Sequence, residues 1–309
     1  MLLRTRRASE GFRELRNEEF LAGASGSYDR SNTVCFQPMF RAATRLSRTM
    51  EPLVKIQVHG HTATVTMNRP GKRNALSRSL LKELHQALDD LHQEREVRGV
   101  ILAAAGSAFC AGMDLSEMLA VNEQDDRHMQ WHADSVVYHE LIEAMLRFPK
   151  PLVAAVNGPA VAGGAGLVMA CDLIVASEEA SFGFPEPRRG IVAGMVAPLL
   201  AFRIGGAHAA YLLLTAQVIG AREAQRYGLF HEIVDGDKVW ARANQLVGEI
   251  AKSAPEAIQM TKRLLNETIG EQLLSQLATG AAVSAASRTT EAAAEGLAAF
   301  AGKREPNWW

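Results

Sequence analysis

The chain of 309 residues predicts an α/β fold whose C-terminal part is helical. Three observations carry that expectation. From Leu53 onward, short apolar or alternating runs rich in β-branched residues take turns with stretches of helical spacing, the alternation that builds a largely parallel sheet. After Gly194 the pattern turns helical almost to the end. The composition, 48% hydrophobic and 22% charged, is that of an ordinary globular chain with enough apolar side chains for one large domain or two small ones.

The elements follow in order. Residues 1–49 stand apart, with nine arginines, no lysine, many serines and little apolar periodicity. Their acids (Glu10, Glu14, Glu18, Glu19 and Asp29) argue against an organelle-targeting segment, leaving a disordered extension or a gene start placed upstream of Met50. "LVKIQVHG" and "HTATVTMN" alternate around Gly60 and predict a hairpin. "RPGKRNAL" is a loop. Leu80, Leu81, Leu84, Leu88 and Leu91 give residues 79–92 a helical apolar face. "VRGVILAAAG" is a buried strand and "AFCAGMDL" a glycine-bearing turn into a helix. Residues 128–146 are an amphipathic helix, and "PLVAAVNG" is again a buried strand. "VNGPAVAGGAGL" opens the next helix, "DLIVASEEASFGFPEP" carries short strands, and "GLFHEIV" is one late strand in the helical tail. The organisation expected is an extension at 1–49, a core at 50–240 and a helical part at 241–309.

Charge and motifs exclude several functions. A formal net charge of -1 leaves no basic footprint for nucleic acid. No wholly apolar run reaches the roughly 18–20 residues of a membrane span. Cys35, Cys110 and Cys171 are odd in number and widely spaced. They form neither a disulfide framework nor a metal pattern, which fits buried or idle thiols in a reducing, cytoplasmic compartment, or the mitochondrial matrix of a eukaryote. His128, His132 and His139 share a helix with Asp134 and Glu140, but a metal needs a fixed third ligand; a polar helix face is the plainer expectation, with one histidine available to line a pocket. No metal is expected.

The glycines of residues 158–166 fit a different chemistry. The first amides of a helix have no internal partner and carry partial positive charge. Glycine lets a ligand approach them closely. "AFCAGMDL" offers a second strand-to-turn amide, and two converging N–H groups make an oxyanion hole. The spacing fits neither a dinucleotide fingerprint nor a phosphate-binding Gly-Lys-Ser/Thr loop.

"MNRPGKRNAL", "AFCAGMDL", "NGPAVAGGAGLVMACDL", "ASFGFPEPRRGI" and "EGLAAFAGKREPNW", in this order, resemble the enoyl-CoA hydratase/isomerase (crotonase) family over residues 53–307. The resemblance implies a ββα spiral core with a C-terminal helical subdomain that trimerises, a homotrimer or a hexamer of two trimers, and acyl-CoA thioesters as substrates, with coenzyme A arriving as part of the substrate and no permanent cofactor. It implies oxyanion amides at Met113 and Gly163 and a catalytic carboxylate at Glu186. Arg69, Lys72 and Arg73 match the loop along the CoA nucleotide; each also reads as a solvated surface charge. Phe300 and Lys303 match tail positions that reach a neighbouring subunit's CoA. Gly166 departs from the pattern: family hydratases with two catalytic glutamates carry the first of them there. One carboxylate beside an oxyanion hole still serves hydration of a 2-enoyl-CoA, or migration of a double bond from position 3 to position 2. Hydratases of branched, carboxylated chains, such as methylglutaconyl-CoA hydratase, resemble this arrangement, and Gly166 and Arg188 are then pocket residues, Arg188 meeting a substrate carboxylate or else a surface ion-pair partner. A non-catalytic acyl-CoA binder is the remaining alternative. An RNA-binding branch of the family uses a lysine-rich helix; residues 80–92 here hold only Lys82, which argues against RNA.

Overall fold

The computed structural model of the protein describes residues 51–308; the expectations for residues 1–49 and for Cys35 lie outside them. β1 (Val54–His59) and β2 (Thr62–Met67) form the expected antiparallel hairpin, with Val54 opposite Met67 and His59 opposite Thr62. α1 (Arg78–Gln93) follows. Its start is fixed by Ser77, whose hydroxyl accepts the Leu80 amide at 3.2 Å, a cap worth about 1 kcal/mol. Its leucine face, Leu80 to Leu91, is buried as the spacing predicts.

β3 (Gly99–Ala104), β4 (Leu152–Val156), β6 (Leu173–Ser177) and β9 (Glu232–Val234) then join β2 in parallel, giving a six-stranded sheet ordered β1-β2-β3-β4-β6-β9. Such strands are covered on both faces, which is why they read as continuous apolar runs. Val100, Leu102, Leu152, Ala154 and Val156 face the main core. Ile101, Val153, Ala155 and Val175 face the other way, under Val239, Ala243 and Val247 of α7 (Val239–Ile250). α7 therefore straddles residue 240, where the core was expected to give way to the helical part.

β5 (Ala160–Val161), β7 (Ser181–Gly183) and β8 (Val218–Gly220) form a second, small sheet. Parallel bridges extend its line: Cys110 pairs with Ala160, and Leu76 with Met113. Successive passes of the chain thus leave one strand in the large sheet and one short pairing beside it, the repeated turn of a spiral. β8 makes a second late strand where the sequence predicted one; its three residues are too few to show a period of two.

α2 (Leu115–Asn122), α3 (Arg127–Arg147) and α4 (Gly163–Ala170) complete the first part. α5 (Ala197–Thr215) is broken at Gly205, where φ is 77° and ψ 160°. By length and composition α5 passes for a membrane span, which the sequence reading did not expect. Arg203 lies within it, however, and donates to the carbonyls of Met169 and Cys171, both at 2.9 Å. α6 (Ala221–Arg226) leads to β9. The tail holds α8 (Pro255–Arg263), a π-helical turn at Leu264–Ile269, α9 (Glu271–Ser287) and α10 (Glu291–Ala301). Lys262 pins α8 to the core through Asp172 at 2.7 Å and the Lys150 carbonyl at 3.1 Å. α9 lies along α3. α10 packs on the 3-10 turn Glu186–Arg189 so closely that a Cβ on Gly296 would stand 2.3 Å from the Arg189 backbone.

Candidate active site

Two turns bring unpaired amides together. The loop at residues 69–76 holds the first. Asn74, buried with φ at 53°, accepts the Arg69 amide at 2.9 Å and donates to the carbonyls of Ala105 and Ala108. Leu76 then grips the next turn from both sides, taking the Asp114 amide and giving its own amide to Gly112. Asp114 caps α2 by accepting from Ser116 at 2.9 Å. Between these anchors the Met113 amide donates to no described residue. At the second turn Ala162 ties its amide to the Gly183 carbonyl at 2.9 Å while its own φ is 54° and ψ −129°. A residue with a Cβ held there costs about 1–3 kcal/mol. The conformation turns the chain so that Gly163, first residue of α4, presents an amide that likewise has no partner among the described residues. The turns touch: a Cβ on Gly112, itself at φ 85°, would lie 2.7 Å from the Ala162 Cβ and 3.4 Å from the Gly163 nitrogen.

Both turns open on one cavity of about 50 Å³. Met113, Leu115, Met118 and Gly163 form one side, Ile191 to Val196 another, and Glu186, Arg189, Ser284 and Arg288 the polar part of the wall. Glu186 starts a 3-10 turn after Pro185. Its Oε2 is enclosed with no hydrogen-bond partner among the described residues. Burial pushes its carboxyl up to about 7, against the opposing pull of its own backbone amide and the charges of Arg189 and Arg288. A general acid or base works best with a pKa near the operating pH, and preorganised amides in a cavity stabilise a developing oxyanion.

Gly166 does not face this cavity. A Cβ there would stand 2.0 Å from the Tyr138 Oη and 2.7 Å from the Val196 Cγ1. Tyr138, fully buried on α3, fills the room and donates to the Gly163 carbonyl at 2.6 Å. Burial, with the nearby Cys110 and Glu186 adding to it, holds the Tyr138 phenol well above its usual range, so it remains a donor. Arg188 is exposed and outside the lining; Arg189 lines the cavity instead. The reason lies in the 3-10 turn, where residues three apart eclipse one another. Glu186 and Arg189 share a face, and Arg188 points elsewhere.

The remaining candidates divide. Met113, Gly163 and Glu186 meet in the cavity. Arg69 anchors the first turn, its Nη1 donating to Asp114 at 2.5 Å and to the Ala75 carbonyl at 2.9 Å, which leaves its Nε and Nη2 without a partner among the described residues. Lys72 and Arg73 are exposed beside it. Phe300 is half-exposed, with the Arg189 guanidinium 4.5 Å from its ring centre, and Lys303 is exposed. His128 and His132 are exposed on α3, and His139 lies 4.0 Å from Glu143; none of the three lines the cavity, whose residue from this helix is Tyr138. No group of three metal-ligating side chains occurs among the described residues. Cys110 and Cys171 are buried thiols, which burial pushes up to about 12. Sequence reasoning missed Tyr138, Arg189 and Arg288. Arg288 did leave a signal, a lone arginine in the small-residue run "AAVSAASRTT".

Comparison with known proteins agrees with this geometry. The family model for enoyl-CoA hydratase/isomerase matches residues 58–309. A Thermus thermophilus protein provisionally named an enoyl-CoA hydratase is 42% identical over 249 residues, 81% of this chain and 98% of its own. The short-chain-enoyl-CoA hydratase of Clostridium acetobutylicum is 33% identical, covering 82% of this chain and 95% of its own. The 2,3-dehydroadipyl-CoA hydratase of Escherichia coli is 32% identical, covering 79% and 93%. The crystal structure of an enoyl-CoA hydratase from Mycobacterium avium superposes with a TM-score of 0.73 at 32% identity, over 84% of this chain and all of the other. With its spiral core, its paired amides and a family match that runs from β1 to the end of the tail, the chain belongs to the enoyl-CoA hydratase/isomerase family.

Proposed function

We propose that the protein adds water across the 2,3 double bond of a 2-enoyl-CoA, with a branched or carboxylated acyl chain, as in methylglutaconyl-CoA, as the narrower reading. The observation that carries this is the enclosed, unpartnered Oε2 of Glu186 in the same cavity as two unpaired amides. The thioester oxygen accepts from the Met113 and Gly163 amides, which draws electron density from C3. Ionised Glu186 takes a proton from water as the oxygen bonds to C3. The enolate so formed has its charge on the thioester oxygen. Glu186, now protonated, returns a proton to C2, so one carboxyl completes the addition. Lys72 and Arg73 are the exposed cations of the loop assigned to the CoA phosphates, and Phe300 and Lys303 are the tail residues assigned to a neighbouring subunit's CoA. The exposed apolar side chains of Phe202, Tyr211, Leu214, Met260, Leu264 and Leu265 support a trimer, alone or doubled to a hexamer.

The filled space at Gly166 favours a second reading. With Tyr138 where a water-positioning carboxylate would stand, Glu186 alone also suffices to carry a proton from C2 to C4 and so move a double bond. Incubating the protein with crotonyl-CoA and with 3-hexenoyl-CoA separates the two. Hydration gives a product heavier by one water from crotonyl-CoA. Isomerisation gives 2-hexenoyl-CoA of unchanged mass and leaves crotonyl-CoA untouched. Turnover of neither, nor of 3-methylglutaconyl-CoA in a third incubation, would remove both readings.

A further inference from the structure

The polar wall of the cavity holds a charge without an acceptor. Arg288, at the end of α9, is 4% exposed. None of its three guanidinium nitrogens has a hydrogen-bond partner among the described residues, and Nε and Nη1 are fully enclosed. The guanidinium lies over Trp131, 5.2 Å from its ring centre. Arg189, in the same lining, also has an enclosed Nε with no acceptor. The carboxylates in range are already engaged or only partly charged. Asp134 is held by Arg78 at 2.6 and 2.7 Å and by Gln130 at 2.7 Å. Glu186 is only half ionised near neutral pH.

A buried cation without an acceptor is costly, and native chains rarely keep one without use for it. Burial lowers Arg288 to about 10, the mark of a charge not yet compensated. Serine 284 adds a small polar neighbour in the same wall. Apart from Glu186 and Tyr138 the rest of the lining is apolar, which suits a partner with an acyl body and an anionic end.

Resting on the enoyl-CoA reading above, we propose that Arg288, assisted by Arg189, receives a carboxylate at the distal end of the acyl chain, so that the substrate class is the CoA monothioester of an unsaturated dicarboxylic acid. The thioester end meets the amides of Met113 and Gly163, and the far end meets the arginines. Arg288 is then a specificity-determining residue, and it takes no proton in the reaction.

Binding of saturated analogues tests this without depending on catalysis. Glutaryl-CoA and pentanoyl-CoA have the same acyl length and differ in the terminal carboxylate; neither can be hydrated. Titration calorimetry on the full chain should give wild-type protein a Kd for glutaryl-CoA lower by on the order of 100-fold, since sites built to pair a polar group discriminate strongly against its absence. Arg288→Met should bring the two constants within threefold, and Arg288→Lys should leave an intermediate preference. Thermal melts of each variant check folding; if Arg288→Met does not fold, the wild-type ratio and Arg288→Lys still decide. Equal binding of the two ligands by wild type, or a preference undiminished in the variants, overturns the assignment. Hydration of crotonyl-CoA with equal binding overturns this inference alone. A carboxylate preference without turnover of any enoyl-CoA overturns the hydratase reading alone.

Discussion

Replacing Glu186 by Gln should make the protein slower and, above neutral pH, more stable. A free glutamate side chain titrates at 4.5, whereas burial holds this one near 7. That difference corresponds to about 3 kcal/mol of ionisation cost in the folded state. The sign follows from linkage: the raised folded value means that the folded state binds the proton more tightly. The cost is therefore absent below about pH 4.5, grows between 4.5 and 7, and is fully present above 7. Gln has nearly the same shape and no charge, so the Glu186→Gln variant escapes a cost that is already net of the attraction of Arg189 and Arg288 for the carboxylate, less whatever its amide loses in fit. The net gain expected at pH 8 is about 1–3 kcal/mol, or roughly 3–10 °C in Tm for a chain of this size, shrinking towards zero at pH 5. Melts of both proteins across pH 5–8, at one protein concentration because any assembly would couple to stability, give the stability half. Turnover gives the other half, with kcat lower by about 100-fold or more. A variant no more stable than wild type at pH 8, with a gap that does not change with pH, refutes the desolvated carboxyl. A kcat within threefold of wild type removes Glu186 from the mechanism.

Three further outcomes are expected. The rate at low substrate, kcat/KM, should rise as pH rises through about 7, because Glu186 acts first as a base; an inflection near 4.5 would place the titrating group elsewhere. Gly166→Ala should lower stability by about 1–3 kcal/mol, since its Cβ meets the Tyr138 Oη at 2.0 Å. In a Tyr138→Phe background the loss should be smaller, which a double-mutant cycle of thermal or urea melts reads directly. Leu214, 84% exposed, should tolerate Asp without loss of fold; if the proposed trimer forms, a smaller particle in sedimentation velocity for Leu214→Asp locates a contact there, and an unchanged particle excludes this face.

The parts of the fold that local chemistry dictates were legible in the sequence. The leucine face of α1, the alternation in the hairpin and the apolar runs of β3 and β4 each encode their element within about ten residues. β8 was not, because its pairing with β7 is decided by a neighbour rather than by three residues of its own. The same division holds at the site. Glycine turns advertise unpaired amides, but Met113, Gly163 and the proline-flanked Glu186 were named as site residues only through the family resemblance of their motifs. Tyr138 and Arg288 reach the cavity from α3 and α9, far away in the chain, and only packing puts them there. Arg188 and Arg189 are adjacent and chemically equal; the geometry of a 3-10 turn, not composition, selects Arg189. Arg69 belongs to the same class, since its distance to Asp114 follows from how the two loops meet.

The tyrosine over Gly166 also bears on ancestry. A glutamate at residue 166 and a tyrosine at residue 138 compete for one space, so exchanging one for the other takes two substitutions. With Tyr138 in place, any side chain at residue 166 collides with the ring's hydroxyl. With residue 138 cut back first, the Gly163 carbonyl loses its donor and the core gains a hole before any carboxylate arrives. The two positions are therefore coupled, because the space that one side chain would need is the space that the other fills. Directed evolution that samples one codon at a time should leave both residues unchanged, whereas a library that varies positions 138 and 166 together can cross.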